Sequence, residues 1–237
     1  MKLLRSTLVS LFSAALLMLT AHAQVVEFTS QSSLAPNDVI NWAQPDGTPV
    51  PVGTVLSGQQ TVLSSLGLTA SLTSPSDSFY TGQQNPGGNI NGNFSPGAAL
   101  LYIQEDSSAT FTFASPVSAA GLQFAIDAVN GSFTAQVTAY ATDGGVLGSF
   151  SENGETTTAG DNSAIFLGIG SSSANISSVT FSASPTGGEG FAISNLSLSD
   201  IAVPEPDTGV LTFAGVAGLI SLRRIKHQRQ GKDSHIE

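Results

Sequence analysis

Between Gln24 and Val203 the chain contains no lysine, arginine, histidine, cysteine or methionine. Each absence closes off a class of chemistry. Without cysteine there is no disulfide framework and no thiolate metal site. Without histidine there is no Ser-His-Asp or Cys-His nucleophile set and no imidazole zinc site. Without lysine there is no P-loop. With no cation of any kind, phosphate counterions cannot be displaced, so direct binding of nucleic acid is excluded. Intradomain salt bridges are excluded too, which leaves apolar burial and backbone hydrogen bonds to hold the fold.

What fills this stretch is acid. Glu27, Asp38, Asp46, Asp77, Glu105, Asp106, Asp127, Asp143, Glu152, Glu155, Asp161, Glu189 and Asp200 are thirteen acids against no base, a charge of −13. The seven Lys and Arg of the chain all lie nearer its ends, at Lys2 and Arg5 and from Arg223 onward. Anionic lipid and acidic polysaccharide are repelled by such a domain unless divalent cations bridge the two. Crowded like charges are expected to raise carboxyl pKa values, which predicts greater stability near pH 5 than near pH 8.

Period-two alternation dominates, and no helical period competes with it. Strands are expected over Leu100–Gln104, Ala109–Phe113, Gly121–Ile126, Phe133–Ala141, Ala164–Gly168, Ile176–Ala183 and Phe191–Leu198, with Val25–Thr29 and Leu68–Leu72 before them. Turn chemistry separates them at Ser115-Pro116, Asn130-Gly131, Asp143-Gly144-Gly145, Gly160-Asp161-Asn162 and Pro185-Thr186-Gly187-Gly188. Many short strands without crossover helices imply an all-β fold, an antiparallel β-sandwich of jelly-roll type. In the last strand Phe191 and Ile193 share one parity and Leu196 and Leu198 the other. Either a bulge near Ser194-Asn195 reconciles them, or the strand is buried on both faces. The polar stretch Gly82–Asn93 reads as a mobile loop.

The two ends carry signals. Lys2 and Arg5, the apolar Leu8–Leu19 and Ala21-His22-Ala23 before Gln24 form a secretory signal peptide, with cleavage expected after Ala23. At the other end Val203-Pro204-Glu205-Pro206 is held extended by its prolines, and an uncharged run, Gly209–Leu222, follows. As a helix that run is about 21 Å long at roughly 1.5 Å per residue. It falls short of a ~30 Å hydrocarbon core. Arg223, Arg224 and Lys226 then form a basic stop on the cytoplasmic side. The chain thus divides into a signal peptide (1–23), an exported acidic sandwich (24–202), a sorting and anchor segment (203–229) and a polar tail (230–237).

This order of Val-Pro-Glu-Pro, Gly-rich apolar run and Arg pair resembles the PEP-CTERM sorting signal of Gram-negative bacteria, a short segment also described as the C-terminal domain of ice-binding proteins. The resemblance covers about residues 203–229. It implies that an exosortase, an integral-membrane thiol protease or transpeptidase, reads the segment and that this chain is its substrate. The inner membrane would be touched transiently, through the C-terminal helix. Thr110–Val117, Ala139–Gly144 and Phe191–Leu196 are similar to exported domains found ahead of such signals, in which the last segment often reads Phe-x-Ile-Asp-Asn-Leu. Here Ser194 stands in place of that Asp.

For chemistry within the domain, carboxylates are what remain. A glycosidase needs two acids flanking a bond, and nothing in the sequence selects a pair, so no enzyme is expected. Calcium is the cation that hard oxygen ligands would hold, and Asp143 and Asp161 sit in the turn clusters nearest to such a site. Extracellular polysaccharide is the natural ligand for a sandwich exported into a matrix. Exposed aromatics would contact it, with Tyr140 and Trp42 foremost and Tyr80 and Tyr102 behind them. Asn93, Asn130, Asn175 and Asn195 each begin an Asn-x-Ser sequon. The combined expectation is an exported structural or adhesive component of the cell surface or matrix. The alternatives are a carbohydrate- or calcium-dependent binding module and, further off, a carboxylate-based hydrolase.

Overall fold

A computed structural model describes residues 25–127, 130–186 and 190–200. The expected signal peptide, with Ala21, Ala23 and Gln24, lies outside these residues. So do Val203, Pro204, Glu205 and Pro206, and Arg223, Arg224 and Lys226. No helix among the described residues is long and apolar enough to cross a membrane.

The described chain forms fifteen strands and one short helix. In order they are β1 (Val25–Phe28), α1 (Gln31–Leu34), β2 (Asp38–Ile40), β3 (Val55–Ser57), β4 (Gln60–Leu63), β5 (Thr69–Thr73), β6 (Ser78–Gln83), β7 (Ala99–Gln104) and β8 (Ser108–Val117). There follow β9 (Ala119–Ile126), β10 (Ser132–Tyr140), β11 (Val146–Glu155), β12 (Ile165–Ser171), β13 (Ile176–Ser184), β14 (Gly190–Ser194) and β15 (Leu196–Ser199). Two antiparallel sheets result. The larger runs β1-β12-β9-β14-β7-β6-β3, with β15 joining β9 to β2, and the smaller runs β11-β10-β13-β8-β5-β4. From β8 to β14 the chain passes repeatedly from one sheet to the other, as a jelly roll does. Ser118 marks one such crossing. It is fully buried, its N–H and hydroxyl both donate to the Ser199 carbonyl (2.8 and 2.7 Å), and its own carbonyl accepts from Ser171 N–H at 2.7 Å.

The alternation read from sequence places the core. Phe133, Ala135, Val137 and Ala139 of β10 point inward with Val179, Phe181 and Ala183 of β13, and all are buried. A chain of rings crosses the interior: Trp42 lies against Phe111, Phe111 against Phe181, Phe181 against Phe124, and Phe124 against Phe191. Their centroid separations run from 5.8 to 6.3 Å.

Both readings of the last strand hold together. Register against β9 shifts by one residue between Ile193↔Phe124 and Ser197↔Gly121, which is a bulge at Ser194-Asn195. It returns Leu196 and Leu198 to the core beside Phe191 and Ile193, while Ala192 and Ser197 are buried on the opposite face.

The segment expected to be a mobile loop is folded down instead. Gln84 is buried, its amide donating to the Gly92 carbonyl (2.9 Å) and accepting from Gly92 N–H (3.1 Å). Phe94 is buried with Leu100, Tyr102 and Ala192 on the outer face of the large sheet. Polar composition concealed this because the loop pairs its amides with its own backbone.

The outer face of the smaller sheet is left to solvent. Thr138 pairs across with Ser149 and Thr180, Thr180 with Thr110, and Thr110 with Thr73, so one row of hydroxyls crosses five strands.

Candidate functional site

The sequence at residues 29–35 builds one wall of a cleft. Ser30 caps α1, its backbone extended and its hydroxyl accepting from Ser33 N–H at 3.2 Å. Ala35 ends the helix in the left-handed region. Leu34, the buried residue of this single turn, lies over Gly121 and Gly168, which face each other across β9 and β12. A Cβ on Gly121 would sit 2.9 Å from Leu34 Cδ1 and 2.7 Å from Phe166 Cζ, so glycine there is what lets the turn settle. The same docking fixes Gln31, whose Nε2 donates to Ser197 Oγ at 2.9 Å.

The floor comes from the start of β12 and the residue before it, Ala164, Ile165 and Phe166. Gln123 of β9 ties the far side together, donating from Nε2 to Asn162 Oδ1 (3.1 Å) and to the Ala164 carbonyl (3.0 Å). Its N–H is held by the Ser194 hydroxyl at 2.9 Å. Asn162 occupies the left-handed region at φ 65°, which asparagine tolerates. Glu152 of β11 closes the end. It lies opposite Ala135 on the inward parity of that edge strand. An inward charge of this kind blunts an exposed edge against pairing with other chains. Thr29, Ser30 and Ser32 complete the cleft, about 630 Å³ in volume. The partial burial of Glu27 and, second, the charge of Glu152 push the Glu27 carboxyl above its usual range.

A second cleft of about 590 Å³ shares Ile165 with the first and is lined by Asn93, Phe133, Asn153, Glu155, Ser163 and their neighbours. Asn93 is buried there, with Nδ2 donating to the Glu155 carbonyl at 3.1 Å and to Ser163 Oγ at 3.3 Å.

The residues named from sequence are scattered. Trp42 is fully buried, correcting its reading as a glycan contact. Its Nε1 donates to the Ser194 carbonyl (2.7 Å) and its ring joins the core chain. Tyr140 is half-buried on the outer face of the small sheet and lines neither cleft. Tyr102 is buried, donates to Asp127 Oδ2 at 2.7 Å and carries Tyr80 stacked at 4.7 Å. Burial and, second, the Asp127 charge push the Tyr80 hydroxyl upward.

Asp143 accepts from Gly145 N–H at 2.9 Å in the β10–β11 turn, and Asp161 accepts from Ser163 N–H at 3.1 Å. Hydrogen bonds from Ser163 hold the Asp161 carboxyl below the usual range. Each acid thus closes its own turn. Among the described residues no three acids or histidines gather as a metal site. Of the sequon asparagines, Asn93 is buried and Asn195 accepts from Trp42 N–H at 3.1 Å.

Sequence reasoning missed Gln31, Gln123, Asn162, Glu152 and Phe166 as a group. They come from four distant segments, and the one local signal was the Asp161-Asn162 turn.

No protein-family model and no curated protein matches the chain. Among solved structures it is similar to CsCBM6-3 from Clostridium stercorarium in complex with cellobiose, at 16% identity and TM-score 0.26 over 55% of this chain and 93% of that one. It is similar also to TmCBM61 in complex with beta-1,4-galactotriose, at 16% identity and TM-score 0.27 over 56% of this chain and 88% of that one. A third is a glycoside hydrolase family 43 arabinoxylan arabinofuranohydrolase from Bacillus subtilis, at 14% identity and TM-score 0.31 over 65% of this chain and 29% of that one. At these values no ligand and no site passes from those proteins to this one.

Proposed function

We propose that this is an exported, non-enzymatic surface protein whose acidic sandwich holds neutral glycan chains in the cleft between α1 and the start of β12. One observation carries the reading: the amides of Gln31, Gln123 and Asn162 and the hydroxyls of Thr29, Ser30 and Ser32 line one cleft together with the apolar Ala164, Ile165 and Phe166. Gln123 gives its amide hydrogens to Asn162 and Ala164, and Gln31 one of its own to Ser197. That leaves Asn162 Nδ2 to donate and the Gln31 and Gln123 amide oxygens to accept from sugar hydroxyls, beside apolar side chains that suit the faces of sugar rings. With no cation between Gln24 and Val203, the ligand this domain favours is neutral rather than acidic.

Hydrolysis requires two carboxyls flanking the bond, and Glu152 is the one acid among the described residues lining the cleft, which favours binding over turnover. Since Asp143 and Asp161 are occupied in their own turns, binding is expected to proceed without calcium. Delivery to the cell surface or matrix is supported by the terminal signals. An exosortase would read Val203–Pro206, and the basic stop would hold the tail at the inner membrane meanwhile.

Titration of the purified protein with a panel of neutral oligosaccharides, in calcium and in chelator, tests the binding reading. Saturable binding that weakens in Asn162→Gly supports it, and the absence of binding to every oligosaccharide discards it. Sorting is tested separately by expression with and without an exosortase. Identical processing in both hosts, or processing unchanged by Glu205→Ala, removes that half of the proposal.

A further inference from the structure

We propose that the outer face of the smaller sheet is a second binding surface, one that lies flat against packed neutral polysaccharide rather than enclosing a single chain. The row Ser149, Thr138, Thr180, Thr110 and Thr73 crosses five strands in register. One neighbouring row is Ser151, Gln136, Ser182 and Ser108; the other continues Ser178, Thr112 and Ser71 but ends at Tyr140 and the exposed Val146. Antiparallel geometry spaces such hydroxyls about 4.8 Å across the strands and about 7 Å along them. The array is tied together: the Thr110 and Thr180 hydroxyls are 2.8 Å apart, and those of Thr138 and Ser149 are 3.0 Å apart. A hydroxyl has one proton and two lone pairs, so the Thr110–Thr180 pair keeps one donor and spare acceptors for an outside partner. Ser149, which donates to the Val137 carbonyl at 3.1 Å and accepts from Thr138, leaves its pair with acceptors.

Charge identifies that partner. The domain is strongly acidic, yet its described acids fall in turns and loops, in β1 and β2 of the larger sheet (Glu27 and Asp38), and on the edge strand β11, where Glu152 faces inward. Glu155, at the end of the edge strand, is the one that shares this outer parity. A neutral face inside an acidic rim repels acidic polymers and offers a cation nothing to pair with. A neutral sheet of polysaccharide hydroxyls matches it in both charge and hydrogen bonding. The surface is independent of the cleft, whose lining residues lie elsewhere.

The test is co-sedimentation of the purified protein with microcrystalline cellulose and with insoluble chitin, against alginate beads as the acidic control. Binding to either neutral particle and not to alginate is expected. The double variant Thr138→Glu with Thr180→Glu should lower the bound fraction at least tenfold while leaving any soluble-oligosaccharide titration unchanged. Should that variant fold poorly, Thr138→Val with Thr180→Val removes the hydroxyls and keeps β-branched side chains in the strands. Failure to sediment with both neutral particles, equal binding to alginate, or wild-type sedimentation by a folded double variant each overturns the proposal. Loss of oligosaccharide binding in Asn162→Gly with sedimentation intact would separate the two surfaces.

Discussion

The indole Nε1 of Trp42 donates to the Ser194 carbonyl at 2.7 Å, while Asn195 Oδ1 accepts from the Trp42 backbone N–H at 3.1 Å. Ser194 and Asn195 form the bulge that shifts the register of the last strand. A bulge leaves backbone groups outside the sheet ladder, and buried polar groups left unpaired are costly. Trp42 supplies the missing partner from a loop some 150 positions earlier in the chain. The same side chain begins the ring series through Phe111 to Phe191, so one residue closes the bulge and fills the core.

Trp42→Phe separates the two tasks. Phenylalanine retains most of the apolar bulk but leaves the Ser194 carbonyl without its donor, a loss of about 1–3 kcal/mol. Trp42→Ala also opens a cavity and should cost about 3–5 kcal/mol. Chemical denaturation of the three proteins checks this ordering. Equal stability of wild type and Trp42→Phe would show that the hydrogen bond contributes nothing.

The pH dependence differs from what charge crowding alone predicts. Burial works to raise the Asp38 carboxyl, yet bonds from the Ser64 and Ser65 hydroxyls and from the N–H groups of Leu66 and Val39 outweigh it, and the pKa falls below the usual value. At Asp106 burial is likewise outweighed, by Ser74 and Ser76. Only Glu27 moves upward among the shifted carboxyls. A depressed carboxyl stabilises the fold above its unfolded pKa, and that stability disappears as pH falls through the folded value. Glu27 has the opposite sign, and protonating it favours the fold. With no histidine between Gln24 and Val203, little titrates from about pH 8 to 6. Melting temperature is therefore expected to stay level there, to gain slightly as Glu27 protonates, and to drop below about pH 4. Asp38→Asn should flatten that acid limb, as thermal scans across pH can measure. A steady rise from pH 8 to pH 5 would restore the crowding account.

Strands were legible wherever polarity alternated, as in β10 and β13, because one wet face and one dry face write period two directly into the chain. β11 was missed: its inward positions are Gly148, Phe150, Glu152 and Gly154, so the dry side carries too little apolar signal. β2, β3 and β4 were missed for shortness, and β6 because its Ser78, Thr81, Gly82 and Gln83 leave Phe79 and Tyr80 without an apolar alternation. The cleft was not legible because it forms only when α1 docks on β9 and β12, a contact fixed by two strand glycines, Gly121 and Gly168, whose missing side chains leave no mark in the apolar pattern. Trp42 misled for a related reason: exposure of a lone aromatic depends on the distant bulge that receives it.

Gly121→Ala tests that docking. The new Cβ would lie 2.7 Å from Phe166 Cζ and 2.9 Å from both Gly168 Cα and Leu34 Cδ1, so backbone as well as packed side chains would have to give way. Overpacking of this kind costs about 1–3 kcal/mol. It should also displace Phe166 and so weaken oligosaccharide binding at temperatures where the variant is folded. A variant as stable as wild type would show that α1 can shift freely over the sheet.

Glu152→Gln and Asn162→Gly probe the cleft with little change elsewhere. Glutamine keeps the shape of Glu152 and removes its charge. Glycine tolerates the left-handed backbone of Asn162 while deleting its amide. Losing one uncharged hydrogen-bonding group at a sugar site costs about 0.5–1.5 kcal/mol, which is roughly a 2- to 13-fold fall in affinity. Asn162→Gly should fall in this range. Glu152→Gln should weaken binding comparably or more, since hydrogen bonds to a charged acceptor are the stronger ones. Relief of the repulsion with Glu27 should return the Glu27 carboxyl toward its usual value, a change visible by NMR titration whether or not sugar is present. Unchanged affinity in both variants, with the Glu27 shift observed as expected, would place the glycan away from this cleft while leaving the described electrostatics intact.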